Sequence, residues 1–326
     1  MPLLLSEKDI QSLLSMDDLI DAMQIALVQF SSGKVRQPLR TVLEVGAQQS
    51  VYAVMPAFIA DPPALGTKLV TVFPSNAEVG LPSHLASIVL LDPSTGALLA
   101  VMDGRFITEK RTAAVSAVAT RLLALEDAGT LAIIGSGVQA RSHLEALRLV
   151  RSLRQVRVWS PNEQRRRLFV LEMEPHAGAP IIAAASPREA IDGADLIVLA
   201  TASREPVVLS EWVRDGAHIC AVGACRPDQR EMETALVRRA RVFVDSRTGA
   251  MAEAGDLVLP MKERAFTAEH IAGELGELAA GRVPGRQSPA QVTLFKSLGM
   301  AVEDVAAAHL AYKRATERGL GRGFVL

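Results

Sequence analysis

The chain has 326 residues, two cysteines and a formal net charge of −1. That length suits two domains with sizeable cores, and 49% apolar with 22% charged residues excludes wholesale disorder. Near-neutral charge gives no electrostatic case for nucleic acid or an anionic membrane surface. Cys220 and Cys225 cannot build a disulfide scaffold, and no metal site is expected from so few ligands. No uncharged apolar run reaches the ~18 residues of a membrane span. The start, MPLLLSEKD, lacks a basic leader, so a cytoplasmic protein is expected.

The first segment reads as helical. Ser6 with Asp9 and Ser15 with Asp18 resemble N-caps, and Leu19, Ile20, Met23, Ala26, Leu27 and Phe30 recur at helical spacing until Gly33. The period then changes to strands at Thr41–Val45, Val51–Met55 and Lys68–Phe73. Asp92-Pro-Ser-Thr-Gly96 is a hairpin signal between Leu85–Leu91 and Ala97–Met102. A long helix follows over Thr108–Leu125. From Gly129 short apolar strands alternate with helices: Leu131–Ile134, Val156–Trp159, Ile181–Ala184, Leu196–Ala200, His218–Val222 and Arg241–Val244. This pattern predicts an α/β protein with a Rossmann-type doubly wound parallel sheet beside an α+β domain. The expected division is a first domain over 1–120, completed by a C-terminal helix within 303–326, and a dinucleotide-binding domain over 121–302.

Gly135-Ser-Gly137-Val138-Gln139-Ala140 lies between a strand and a helix. The first glycine permits the tight turn, the second lets backbone approach a diphosphate, and the small third residue allows helix–strand packing. The second strand ends at Ser160-Pro-Asn162, where an NAD-preferring protein usually carries an acid for the ribose hydroxyls. Arg165, Arg166 and Arg167 follow. They are either a solvated helix face or the partners of a 2′-phosphate, and the missing acid points to NADPH, with NADH still possible. Thr201 ends the fourth strand, where a ligand crevice is expected.

With these residues placed, the chain resembles the ornithine cyclodeaminase/mu-crystallin family over nearly its whole length. The matching segments include Arg36-Gln-Pro-Leu-Arg40-Thr, Thr67-Lys68-Leu-Val-Thr-Val-Phe, Leu81-Pro-Ser83-His84, Lys110-Arg111-Thr-Ala-Ala, Ala221-Val222-Gly-Ala-Cys225-Arg-Pro-Asp228 and Phe295-Lys-Ser297-Leu-Gly-Met. The resemblance implies a homodimer, whose first domain binds substrate and dimerises. It also implies imine chemistry on a small amino acid with a nicotinamide cofactor. In the family's cyclodeaminases a catalytic aspartate occupies the position of Cys225. The stretch around Cys225 is instead similar to the ketimine reductases, which reduce Δ1-pyrroline-2-carboxylate and Δ1-piperideine-2-carboxylate to L-proline and L-pipecolate. An ornithine cyclodeaminase or amino-acid dehydrogenase remains the alternative within the family, and an NADPH-dependent binding protein without turnover the alternative outside catalysis.

The resemblance also implies site residues. Arg40, Lys68 and Arg111 match cations that clamp the substrate, Arg111 lying near the cofactor as well. Lys68 interrupts an apolar strand, which independently marks it, since an unpaired lysine is rarely buried. Ser83, His84, Val222 and Ser297 match positions near the cofactor. His84 is either a proton relay or an ordinary hydrogen-bonded histidine. Glu253 matches an acid facing the substrate ring, or is an exposed helix acid. Cys225 reads as a pocket wall. Three cations around a protonated imine oppose its charge, so Glu253 is expected to offset them.

Overall fold

The computed structural model describes residues 1–46 and 50–325 of the chain. Leu326, the end of the expected first domain, lies outside them. Two compact units result, one formed by Met1–Arg111 with Gly299–Leu326 and the other by Thr112–Leu298.

The chain opens with β1 (Leu3–Leu5), α1 (Glu7–Leu13) and α2 (Met16–Ser31). Ser6 and Asp9 form a reciprocal capping box, and Ser15 caps α2 through the Asp18 N–H. Then come β2 (Val35–Arg36), β3 (Thr41–Val45), β4 (Ser50–Ala60), β5 (Pro63–Val72), β6 (His84–Leu91) and β7 (Leu98–Asp103). At the β6–β7 turn the Asp92 carboxylate accepts the N–H groups of Ser94 and Thr95. Helix α3 (Arg105–Leu123) contains the division between the units. The division therefore falls at Arg111/Thr112 and Leu298/Gly299, not near 120 and 302. No glycine or proline marks the first of these crossings, because α3 runs through it without a break.

The second unit alternates β8 (Thr130–Ile134), α4 (Val138–Val150), β9 (Gln155–Trp159), α5 (Glu163–Ala177), β10 (Ile181–Ala183), α6 (Pro187–Ile191), β11 (Leu196–Leu199) and β12 (His218–Ala221). It continues with α7 (Thr234–Arg239), β13 (Arg241–Val244), α8 (Arg247–Glu253), α9 (Gly255–Lys262), β14 (Ile271–Glu274), α10 (Leu275–Ala279) and β15 (Thr293–Lys296). The chain returns to the first unit as α11 (Ala301–Arg318) and β16 (Arg322–Gly323).

The second unit's sheet runs β10-β9-β8-β11-β12-β15-β13-β14, and every pairing in it is parallel. Its strands β8, β11, β12, β13 and β15 are almost wholly buried, as expected when helices cover both faces, while β9, β10 and β14 toward the edges are partly open. Strand β15 is inserted between β12 and β13. The sequence reading had not separated it, because four residues ending in Lys296 carry too little apolar pattern.

The first unit's sheet runs β16-β1-β7-β6-β5-β4-β2, with β3 also on β4. Two-residue β2 and β16 and three-residue β1 were too short to read from sequence. Helix α11 packs on β4, β5 and β6. Ala57, Ile59, Ala64, Val70, Ile88 and Leu90 are buried on one face, alternating with half-buried Val54, Phe58, Leu65, Leu69 and Val89 on the other.

Candidate active site

Two constellations stand out, one in each unit. In the first, Lys68 sits in the middle of β5, where register places it opposite Met55 and Ile88. That is the face on which α11 packs, and Lys68 is 2% exposed. Its Nζ lies 2.6 Å from Asp304 Oδ2. Arg111, on α3 and 3% exposed, donates from Nε to Asp304 Oδ1 at 2.9 Å and from Nη1 to Glu303 Oε2. Arg40, just before β3, donates from Nη2 to the Gly299 carbonyl at 3.4 Å.

Glu303 and Asp304 are fully buried in the first turn of α11, where the helix dipole favours anions. Gln37 holds that turn from outside by accepting the Val302 N–H at 2.9 Å. Gly299 has φ +78°, and a Cβ there would come within 2.4 Å of the Arg111 guanidinium. Only glycine both takes that left-handed turn and leaves room for the arginine.

The structure thus brings Arg40, Lys68 and Arg111 together, with two carboxylates that the sequence reading missed. The sequence expectation set Glu253 against this triple-cation field, and the structure adds Asp304 and Glu303 as anions beside it. Buried charges need partners, and this cluster holds three cations against two anions. The signal was present in sequence. Glu303-Asp304 interrupts the apolar run Ala301-Val…Val-Ala-Ala-Ala308, just as Lys68 interrupts its strand.

Burial, with Arg111 and Arg40 nearby, depresses Lys68 to about 8 despite Asp304. Burial opposes ionisation of Asp304, yet Arg111 and Lys68 outweigh it and hold its pKa below the usual carboxylate range. His84 opens β6 and shares the Lys68 face by register. Burial, Lys68 and Arg111 lower it to about 4, so at neutral pH it is an uncharged imidazole rather than a stored proton. Ser83 is exposed, its carbonyl accepting the Phe73 N–H.

The second constellation is the turn after β8. Gly135 has φ +120°, and a Cβ there would lie 2.5 Å from the Ala200 carbonyl oxygen. Gly137 precedes α4 with no side-chain cap, and a Cβ on it would meet open space. The N–H groups of a thirteen-residue helix therefore open on a side-chain-free approach. Beside it Val138 is exposed, and the Gln139 Oε1 is buried without a hydrogen-bond partner. These residues fit a dinucleotide diphosphate.

Ser160 follows β9 directly, at the end of the second strand of this unit. It is 6% exposed, and its hydroxyl is shared with Ser136 Oγ at 2.8 Å, fastening β9 to the glycine turn. The Asn162 side chain caps α5 by accepting the Arg165 N–H. The three arginines also separate. Arg166 is bonded to the Ser160 carbonyl, Arg167 pairs with Glu163, and Arg165 points an exposed guanidinium outward.

Further along the strand ends, one buried carboxylate cross-ties the crevice. Glu231 accepts the N–H of Thr201 at 2.6 Å on one oxygen and those of Gly223 and Ala224 on the other. Lys296 and Asp256 form a fully buried pair nearby, and burial pushes Glu231 upward. Val222 is buried as β12 ends, and the Cys225 Sγ donates to its carbonyl at 3.2 Å. Ser297 is buried, its hydroxyl 3.3 Å from Asp245 Oδ2. Glu253 is half-buried at the end of α8, in the second unit and not in the Lys68 cluster's unit. Sequence reading missed Glu231, Asp245, Asp256 and Lys296, which act on backbone groups and on one another.

A parallel sheet in the order β10-β9-β8-β11-β12 with a glycine turn after β8 defines a nicotinamide-dinucleotide-binding class of protein. The chain belongs to the ornithine cyclodeaminase/mu-crystallin family, whose model matches residues 1–319. It is 44% identical over 315 residues to mouse ketimine reductase mu-crystallin, covering 95% of this chain and 96% of that protein. The structure of Thermococcus litoralis Δ1-pyrroline-2-carboxylate reductase, in complex with NADH and L-proline, is 43% identical with a TM-score of 0.96. That match covers 99% of this chain and 100% of the other. An archaeal alanine dehydrogenase dimer with bound NAD is 32% identical with a TM-score of 0.92, covering 99% of both chains.

Proposed function

We propose that this chain is an NAD(P)H-dependent reductase of cyclic ketimine carboxylates, converting Δ1-pyrroline-2-carboxylate and Δ1-piperideine-2-carboxylate to L-proline and L-pipecolate. The observation that carries the reading is the buried cluster of Lys68, Arg111 and Arg40 against Asp304 and Glu303. Its cations suit a substrate carboxylate. Arg111, held on two sides by carboxylates, offers a guanidinium of fixed orientation to that group. Lys68 stands ready as the proton donor to the imine nitrogen, with Arg40 adding charge at the rim.

Gly135, Gly137 and the start of α4 would hold the cofactor diphosphate. Ser297, fixed by Asp245, and Thr201 and Val222, beside the carboxylate of Glu231, would line the nicotinamide end. Bound there, the reduced cofactor supplies the hydride. Ser160 in place of an acid, with Arg165 nearby and exposed, supports NADPH as the preferred form, NADH being accepted. We also propose a homodimer. Supporting it are the fully exposed β3 and the half-buried apolar face of Val54, Phe58, Leu65, Leu69 and Val89, a surface that association would cover.

The test is NADPH oxidation with the two cyclic substrates side by side, and the product analysed by chiral chromatography. Turnover of at least one to the L-amino acid supports the reading. Tight binding of cofactor and ring acid without turnover would make the protein a binder instead, and ammonia release from ornithine a cyclodeaminase.

A further inference from the structure

The geometry points to Asp304 as the positioning residue of this site, one carboxylate that fixes the spacing of Lys68 and Arg111 and keeps Lys68 protonated for proton delivery to the imine. The inference deepens the reductase reading and rests on it. Asp304 uses both oxygens. Oδ2 faces Lys68 Nζ at 2.6 Å, and Oδ1 accepts from Arg111 Nε at 2.9 Å. It is wholly buried at the start of α11, so neither contact is a surface ion pair exchanging with water.

The two cations come from β5 and α3 and would repel one another without the anion between them. Lys68 is faced by Asp304 from α11, by Arg111 from α3, by Arg40 ahead of β3 and by His84 from β6. His84 is uncharged at neutral pH, and Glu303 engages Arg111. Asp304 is therefore the anion that directly opposes the loss of positive charge forced on Lys68 by burial and two arginines. Lys68 gives its proton to the imine nitrogen as hydride reaches the ring carbon. The C=N bond becomes C–N with a new N–H, and Lys68 recovers a proton from solvent.

The sign of the pH effect follows. Lys68 must be protonated to act, so the rate falls as pH rises through its pKa of about 8. Removing the Asp304 charge lowers that pKa and moves the alkaline limb to lower pH.

The experiment is the pH profile of kcat/KM for reduction of Δ1-pyrroline-2-carboxylate by the full chain with NADPH. Asp304→Asn should move the alkaline limb down by one unit or more and raise KM at least tenfold, with NADPH affinity changed less than twofold. Asp304→Glu should restore the limb toward its original pH. Glu303→Gln should raise KM without moving the limb. A limb that stays in place in Asp304→Asn, despite lower activity, would leave Asp304 a merely structural residue and overturn the proposal. If Asp304→Asn does not fold, Lys68→Arg decides. Loss of the limb supports the proposal, whereas a limb at its original pH assigns the titration elsewhere, to the iminium and Glu253, and overturns it. An unmodified protein that reduces no cyclic ketimine carboxylate defeats the reductase reading itself, and this inference with it.

Discussion

The substrate clamp and the dinucleotide cradle bind charge by opposite means. The clamp in the first unit is built from side-chain ions, Lys68 and Arg111 against Asp304 and Glu303, all withdrawn from water. The cradle in the second unit offers backbone N–H groups at a helix start, with glycines where side chains would intrude. Buried ions cost several kcal/mol each in desolvation, so every member depends on the others. A backbone cradle carries no such debt and is limited by shape. A substitution in the clamp should therefore upset stability and chemistry together, and one in the cradle should act on the cofactor alone.

The largest effect is expected at Arg111. Arg111→Ala takes the guanidinium from buried Glu303 and leaves Asp304 with Lys68 as its cation, so unfolding in denaturant should show a loss of about 3–5 kcal/mol. Removal of the substrate contact should lower kcat/KM by about 2–4 kcal/mol, with NADPH affinity little changed. Normal stability and turnover in this variant would erase the distinction between the two sites.

Next in size is acid sensitivity of the second unit. His143 and His218 are buried and depressed to about 4 and about 3, mainly by burial. Unfolding frees each ring to take a proton below pH 6.5, so the unfolded state binds more protons there. Stability should be full above pH 6.5 and fall as pH drops toward 4, by on the order of 3 kcal/mol per ring. Denaturant titrations at pH 7 and pH 5 check this. His218→Gln should flatten the fall, and an unchanged slope would exclude that ring.

In the cradle, Gly135→Ala meets the Ala200 carbonyl and a left-handed φ together. A strain of about 1–3 kcal/mol should appear as weaker NADPH binding by fluorescence titration, with the Lys68 limb unmoved. A displaced limb would mean that the two sites do not act separately. The smallest effect is on cofactor choice. Ser160→Asp should shift the NADPH/NADH ratio of kcat/KM roughly tenfold toward NADH, about 1.4 kcal/mol, by placing a carboxylate against a 2′-phosphate. An unmodified protein that prefers NADH would contradict the premise.

The same contrast explains what could be read from sequence. The cradle is local: strand, glycine turn and helix fall within Thr130–Val150, and each signal reinforces the next. The hairpin at Asp92 and the caps at Ser6 and Ser15 are local too. Lys68 was legible as a charge out of place in an apolar strand. Its partner was not, because Asp304 lies on a helix that rejoins the first unit after the whole second unit has intervened. Ser160 was legible as a missing acid, yet its bond to Ser136 depends on how two strand ends meet. Strand β15 was hidden by its brevity.

The most direct test of the clamp compares Δ1-pyrroline-2-carboxylate with 1-pyrroline, the same ring without its carboxylate, in NADPH oxidation at neutral pH. If Arg111 and Arg40 hold that carboxylate, kcat/KM for 1-pyrroline should be lower by a factor on the order of a hundred or more, equivalent to roughly 2–4 kcal/mol. Equal turnover of the two rings would contradict the assignment of the buried cluster as the substrate's anchor.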